Sequence, residues 1–274
     1  MCNQSLILFV LIIGMGIGIN IGNLPAGKDC FMTPIIQAEK IIKKYRMGTE
    51  VVSVLNSIDL NIYPGEILTI LGTSGCGKTT FLNLAAGLER PTKGNIIIDG
   101  HNLNKISEKK MAAFRRRYIG FVFQLYNLVP SLTALENAVL PLIFEGVPTR
   151  EREKRGRQLL KEMGLSNRMR HKPSELSGGQ RQRVSLARAM INNPRIIFAD
   201  EPTGNLDSKT TVEILKLLTS TVRESGQTLM MVTHDIKVAE YGDRIVEMAD
   251  GRIFNDEANG NCGIPEEEGT EDKS

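Results

Sequence analysis

The run Gly72-Thr-Ser-Gly-Cys-Gly-Lys78-Thr79 fits G-x-x-x-x-G-K-[ST], and its surroundings constrain the fold more than any other part of this chain. An apolar stretch, 67–71, precedes it and reads as a strand, and a helix-prone stretch, 79–86, follows it. A strand that turns through such a loop straight into a helix opens an α/β unit. Glycines at 72, 75 and 77 let the backbone N–H groups of Gly72, Thr73, Ser74, Gly75, Cys76 and Gly77 converge on a phosphate chain. The helix behind presents its positive N-terminus to the same anion. Lys78 then reaches the β- and γ-phosphates, Thr79 holds Mg²⁺, and Thr80 stands beside them as a further nucleotide-binding candidate. Cys76 lies inside the loop, which places its thiol against the phosphates. The competing account is a glycine-rich turn that binds nothing, and the strand before and helix after weigh against it. Taken alone, the motif leaves ATPase, GTPase and kinase open.

Far down the chain, Arg195-Ile-Ile-Phe-Ala-Asp200-Glu201-Pro202 is an apolar run that ends in two carboxylates. Such a run suits a buried parallel strand that delivers acids to its C-terminal edge. Asp200 becomes the Mg²⁺ partner of Thr79 through a coordinated water. Glu201, one residue on, is placed to orient and polarise the water that attacks the γ-phosphate. In isolation the segment is equally well a strand and an acidic turn before Pro202.

Between the two lies Leu176-Ser177-Gly178-Gly179-Gln180-Arg-Gln-Arg183. Ser177 and Gln180 have capping-box spacing, and Val184, Leu186, Ala187, Met190 and Ile191 continue as an apolar helix face that stops at Asn193-Pro194. An ordinary capped helix explains this much. Two glycines at a helix start nevertheless cost stability, and their bare backbone N–H groups form a second anion site.

With these motifs in order, the sequence resembles the ATP-binding subunit of an ABC transporter over about 35–254. L-S-G-G-Q is the signature of that family. The resemblance implies an adenine-stacking role for Tyr45 and a contact of Gln124 with Mg²⁺, the attacking water and the membrane subunit. It implies a γ-phosphate contact for His234, beyond the expected strand 229–233. Gly204-Asn-Leu-Asp207 matches the loop that crosses the family's dimer interface, although Asp207 serves equally as N-cap of the helix bearing Val212, Leu215, Leu218 and Val222. Two copies are then expected to bind two ATP–Mg²⁺ head to tail, with Lys78 and Thr79 of one and Ser177, Gly178 and Gly179 of the other on one triphosphate.

A finer resemblance, carried by the segment Arg115 to Asn137, is to the lipoprotein-release and macrolide-export branch. In that branch the ATPase drives a membrane permease, which places this chain at the cytoplasmic face of the membrane, docked near Gln124. The alternative within the family is an ATPase that regulates cell division or envelope processes through a membrane partner. DNA-repair relatives carry long heptad coiled coils before the signature, and the segment here is short and aperiodic. Arg115, Arg116 and Arg117 do not make a nucleic-acid stripe either, since 34 basic residues face 31 acidic ones.

Strand signals at 67–71, 95–99, 120–123, 196–200 and 229–233 punctuate helical stretches, which is the α/β pattern. The expected fold is a P-loop NTPase core of mainly parallel sheet, an antiparallel β subdomain around 51–62 and 95–99, and an inserted helical subdomain at about 125–192, including a charged helix at 150–163. The four cysteines, Cys2, Cys30, Cys76 and Cys262, lack metal-ligand spacing and argue for a reducing compartment. The ATP-binding domain is expected over 32–258, followed by a disordered acidic tail at 259–274. Residues 1–31, apolar from 6 to 21, read as an extension upstream of a start at Met32 in preference to a membrane anchor.

Overall fold

The computed structural model describes residues 33–259, so the apolar extension and all of the acidic tail but its first residue lie outside the described residues. The elements in chain order are β1 (Ile36–Met47), β2 (Glu50–Ile62), β3 (Ile67–Gly72), α1 (Lys78–Ala85), β4 (Lys93–Ile98), β5 (His101–Asn102), α2 (Glu108–Tyr118) and β6 (Ile119–Val122). They continue with α3 (Ala134–Phe144), α4 (Thr149–Glu162), α5 (Gly178–Met190), β7 (Ile196–Asp200), α6 (Ser208–Glu224), β8 (Thr228–Thr233), α7 (Ile236–Ala239), β9 (Arg244–Ala249) and β10 (Arg252–Ala258).

The central sheet runs β10-β9-β3-β8-β7-β6. Every neighbouring pair in it is parallel except the β9–β10 hairpin. Its inner strands are apolar on both faces, and their two-residue period divides them between two cores. On β7, Ile196 and Phe198 join one core while Ile197 and Ala199 join the other. On β8, Met230 and Val232 face the first, and Leu229 and Met231 the second. Each of these side chains larger than alanine contributes about 1.5–3 kcal/mol when fully buried.

The first core is closed by α1 and by an antiparallel sheet of order β2-β1-β4-β5. The second is closed by α3, α4, α5 and α6. The stretch 125–192 holds three α-helices, a short 3-10 helix at Pro173–Glu175 and no strand. Capping explains where α3, α5 and α6 begin. Thr133 with Glu136 and Ser177 with Gln180 form capping boxes, and Asp207 accepts from the Thr210 N–H at 2.9 Å.

Two hairpins went unread in the sequence, although both carry the strongest local signal for one. Asp99-Gly100 has φ of 47° and 76°, and Asp250-Gly251 has 46° and 70°. Each is a two-residue turn with both centres left-handed, the geometry that matches strand twist. The first joins β4 to β5, and the second joins β9 to β10.

Gly120 sets how closely β6 approaches α5, because a Cβ there would fall on the Ala189 carbonyl oxygen and within 3.1 Å of the Pro194 ring. Since both obstacles belong to rigid parts, Gly120→Ala is expected to lower unfolding stability by about 1–3 kcal/mol. A urea titration that shows an unchanged midpoint would contradict this packing.

Candidate functional site

The loop after β3, the acids after β7 and the residues after β6 and β8 all emerge at one place, the C-terminal edge of the parallel strands. This is the edge at which open α/β sheets bind ligands. β3 enters between β8 and β9, and its end is shaped by close backbone approach: a Cβ at Gly72 would fall on the Met248 carbonyl oxygen of β9. Gly77 caps α1 with φ of 105°, and Gly75 has φ of 81°. Only glycine adopts these conformations without strain.

Lys78 is 5% exposed, and its ammonium donates to the carbonyls of Gly72 at 2.7 Å and Thr73 at 2.9 Å. Its remaining close contact is Cys76 Sγ, a weak acceptor at 3.9 Å. A buried ammonium satisfied by neutral carbonyls keeps its net charge, and the phosphate loop therefore carries a standing attraction for an anion. The Cys76 thiol itself is 6% exposed and belongs to the first core. Its Sγ lies 2.8 Å from where a Cβ at Gly72 would stand, so the thiol fills the space that the glycine leaves open.

Thr79 Oγ1 donates to Asp200 Oδ1 at 3.0 Å, across 121 residues of sequence. Burial pushes the Asp200 carboxyl above the usual carboxylate range. The Thr79 hydrogen bond opposes that shift, the Glu201 charge adds to it, and Lys78 opposes it. A hydroxyl and a carboxylate side by side are hard oxygen donors. Such oxygens are the donors that Mg²⁺ takes, one or two from the protein and others from a phosphate ligand, so the residues present fit the ion.

Glu201 has φ of 43°, a left-handed conformation rare for a residue with a side chain. Its N–H donates to the Val232 carbonyl at 3.1 Å, and its Oε1 lies 3.1 Å from His234 Nδ1. A Cβ added at Gly204 would stand 3.0 Å from Gln124 Nε2 and 3.3 Å from Glu201 Oε2, so the amide and the carboxylate share one small space. Three separate strand ends thus bring Gln124, Glu201 and His234 together. Gln182, fully buried on α5, donates to the Pro202 carbonyl at 2.6 Å and braces the turn from behind.

Ser177, Gly178 and Gly179 do not join this cluster. Among the described residues no hydrogen bond links them to 72–79. Gly178 instead faces Leu206 and the Tyr126 hydroxyl, and Gly179 faces Thr210. Asp207 is engaged as the α6 cap. Tyr45 projects from β1, with its hydroxyl bonded to Glu89 at 2.6 Å.

A family profile described as ABC transporter matches residues 55–204, more than half of the chain. The chain belongs to that family. Its ATP-binding domain is 45% identical over 229 residues to an ABC transporter ATP-binding protein of Thermotoga maritima, covering 84% of this chain and 97% of the relative. It is also 45% identical over 233 residues to the macrolide export ATP-binding/permease protein MacB of Brucella melitensis, covering 85% of this chain and 36% of that longer protein. The solved dimeric, post-hydrolysis structure of the ATP-binding cassette MJ0796, bound to ADP and Pi, superposes with a TM-score of 0.77 at 45% identity. That match covers 82% of this chain and 98% of the other; in sequence the Methanocaldococcus jannaschii protein is 47% identical over 227 residues. The chain is therefore an ATP-binding cassette and an ATPase, and the six-stranded sheet with its loop is the P-loop NTPase core.

Sequence reasoning passed over Gln182, Glu89 and Lys43 in the cassette, because each acts through a partner 20 or more residues away. It named Gly204 as part of the expected dimer-interface loop and not as the spacer between Gln124 and Glu201. Gly204→Ala is expected to push Gln124 and Glu201 apart and lower kcat by about 10- to 100-fold while ATP binding persists, the scale of a displacement near 1 Å. Steady-state hydrolysis alongside nucleotide titration checks this; an unchanged kcat would dissociate the two side chains from the reaction.

Proposed function

We propose that two copies of this cassette close head to tail on two ATP molecules and power a membrane permease at the cytoplasmic face. The observation that carries this is the split site. One chain gathers the phosphate loop, the acids and His234 at one edge, yet leaves the capped, glycine-rich start of α5 without a bond to that loop. A second copy supplies the missing Ser177, Gly178 and Gly179. The dimeric solved relatives support this reading.

Lys78 would release its carbonyls and move its charge onto the β- and γ-phosphates, while loop N–H groups take the remaining oxygens. Thr79 and Asp200 would hold Mg²⁺, which supplies charge neutralisation to the phosphate chain when bound. Glu201, with His234 against one oxygen and the Gln124 amide near the other, is placed to orient a water and accept its proton. Tyr45 would stack on adenine. Closure follows because ATP binds the two-copy arrangement better than the open one.

The relatives named for macrolide export support a permease that exports or extracts a lipoprotein, a peptide or an amphiphilic drug. Among the described residues no helix is long and apolar enough to cross a membrane.

Glu201→Gln keeps size and hydrogen bonding but removes the negative charge. It should still bind ATP and accumulate as an ATP-dependent dimer while hydrolysis falls by about 10²-fold or more. Lys78→Ala should remain monomeric at every ATP concentration. Size-exclusion chromatography with and without MgATP separates the two outcomes, and a Glu201→Gln protein that hydrolyses at the parent rate would move the catalytic assignment elsewhere.

A further inference from the structure

The Tyr45 hydroxyl is committed to the protein itself. It donates to Glu89 Oε2 at 2.6 Å, and the same oxygen takes the Lys43 ammonium at 2.9 Å. Lys43 also donates to the Arg90 carbonyl at 2.8 Å, and its Nζ stands over the Tyr45 ring, 4.8 Å from the centre. Lys43 and Tyr45 are two apart on β1 and so project from one side of the strand. Glu89 belongs to a different element, the turn that follows α1. The Glu89 N–H in turn donates to the carbonyl of Asn83 on that helix, at 3.4 Å. The ring is therefore registered against the helix whose first turn carries Lys78 and Thr79.

We propose that Glu89 is a positioning residue for nucleotide binding. Its carboxylate fixes Tyr45 through the phenol and Lys43 through the ammonium, so that the ring face opposite Lys43 is held ready for the base at a set distance from the phosphate loop. This rests on the reading that Tyr45 stacks on adenine. A phenol bonded to an ionised carboxylate is held more firmly than one bonded to water, and a ring ordered in advance loses less freedom when the base arrives. The protonation states agree with the geometry. Tyr45 is pushed up to about 12, by burial first and then by the bond to Glu89 and its charge. Glu89 lies below the usual carboxylate range, burial raising it and the bonds from Tyr45 and Lys43 outweighing burial.

The test compares ATP with inorganic tripolyphosphate, which has the phosphates and no base, by calorimetric titration of the full chain without divalent cation. Glu89→Ala should weaken ATP binding about 5- to 10-fold and leave tripolyphosphate binding unchanged. It should also lower the ionisation of Tyr45 from about 12 toward the ordinary 10.0, read as the phenolate absorbance that disappears when Tyr45→Phe is added to each background. Tyr45→Phe should weaken ATP as well, and the double variant should bind no worse than the weaker single one. Glu89→Gln, which keeps an acceptor for the phenol, should recover part of the affinity, and it carries the same comparison should Glu89→Ala misfold. Equal losses for ATP and tripolyphosphate, or undiminished ATP binding by Glu89→Ala, overturn the proposal. If Tyr45→Ala binds ATP like the parent, the stacking reading falls and the proposal with it. If Tyr45→Ala loses affinity while Glu89→Ala does not, the positioning role alone falls.

Discussion

Strands with no polar face must be covered on both sides, and that requirement organises this molecule. β3, β7 and β8 are apolar along nearly their whole length, and each divides its side chains between two cores. One cover is α1 with the antiparallel sheet; the other is the set of helices inserted between β6 and β7 together with α6. Because parallel strands end on the same edge, the covers leave that edge free for loops, and loops are where backbone N–H groups and carboxylates escape burial. The site follows from the layering.

Within the site, stability is given up for geometry at specific places. Lys78 is buried against carbonyls, Glu201 holds a left-handed backbone, and Asp200 carries a carboxyl that burial disfavours in its charged form. Supports come from behind: Gln182 on Pro202, the Val232 carbonyl on the Glu201 N–H, and glycines at 72 and 204 where a Cβ would intrude. A similar brace acts on the segment after Gln124. Tyr126 and Asn127 have φ of 60° and 48°, and Arg188 of α5 donates to both carbonyls, at 2.7 Å and 2.5 Å. The helix that begins with Ser177-Gly-Gly therefore holds the loop that carries Gln124.

Much of this could be read in advance where the signal is local. The loop 72–79, the paired acids and the capping box of Ser177 each lie within a few residues, and each emerged where its spacing indicates. The Asp-Gly turns of β4–β5 and β9–β10 were equally local and simply went unread. β1 was also missed: its polar lysines interrupt strict alternation, and its pairing with β2 carries register shifts around Lys40, which has φ of 48°. The burial of the Cys76 thiol was not legible either, since a loop position says nothing about which side of the backbone a short side chain will find room on.

By itself the sequence determined the chemistry on offer: a glycine loop with lysine and threonine, two acids at a strand end, and a second glycine pair at a capped helix start. Those are properties of neighbouring residues, set by backbone conformation and spacing. The tertiary structure alone decided which of them meet. It brings Thr79 to Asp200 across 121 residues and His234 to Glu201 across 33, but leaves the Ser177 turn unbonded to the phosphate loop. It also makes Glu89, unremarked in the sequence, the partner of Tyr45 across 44. Such meetings depend on sheet order and helix docking, which are settled by burial of the whole set of apolar faces at once.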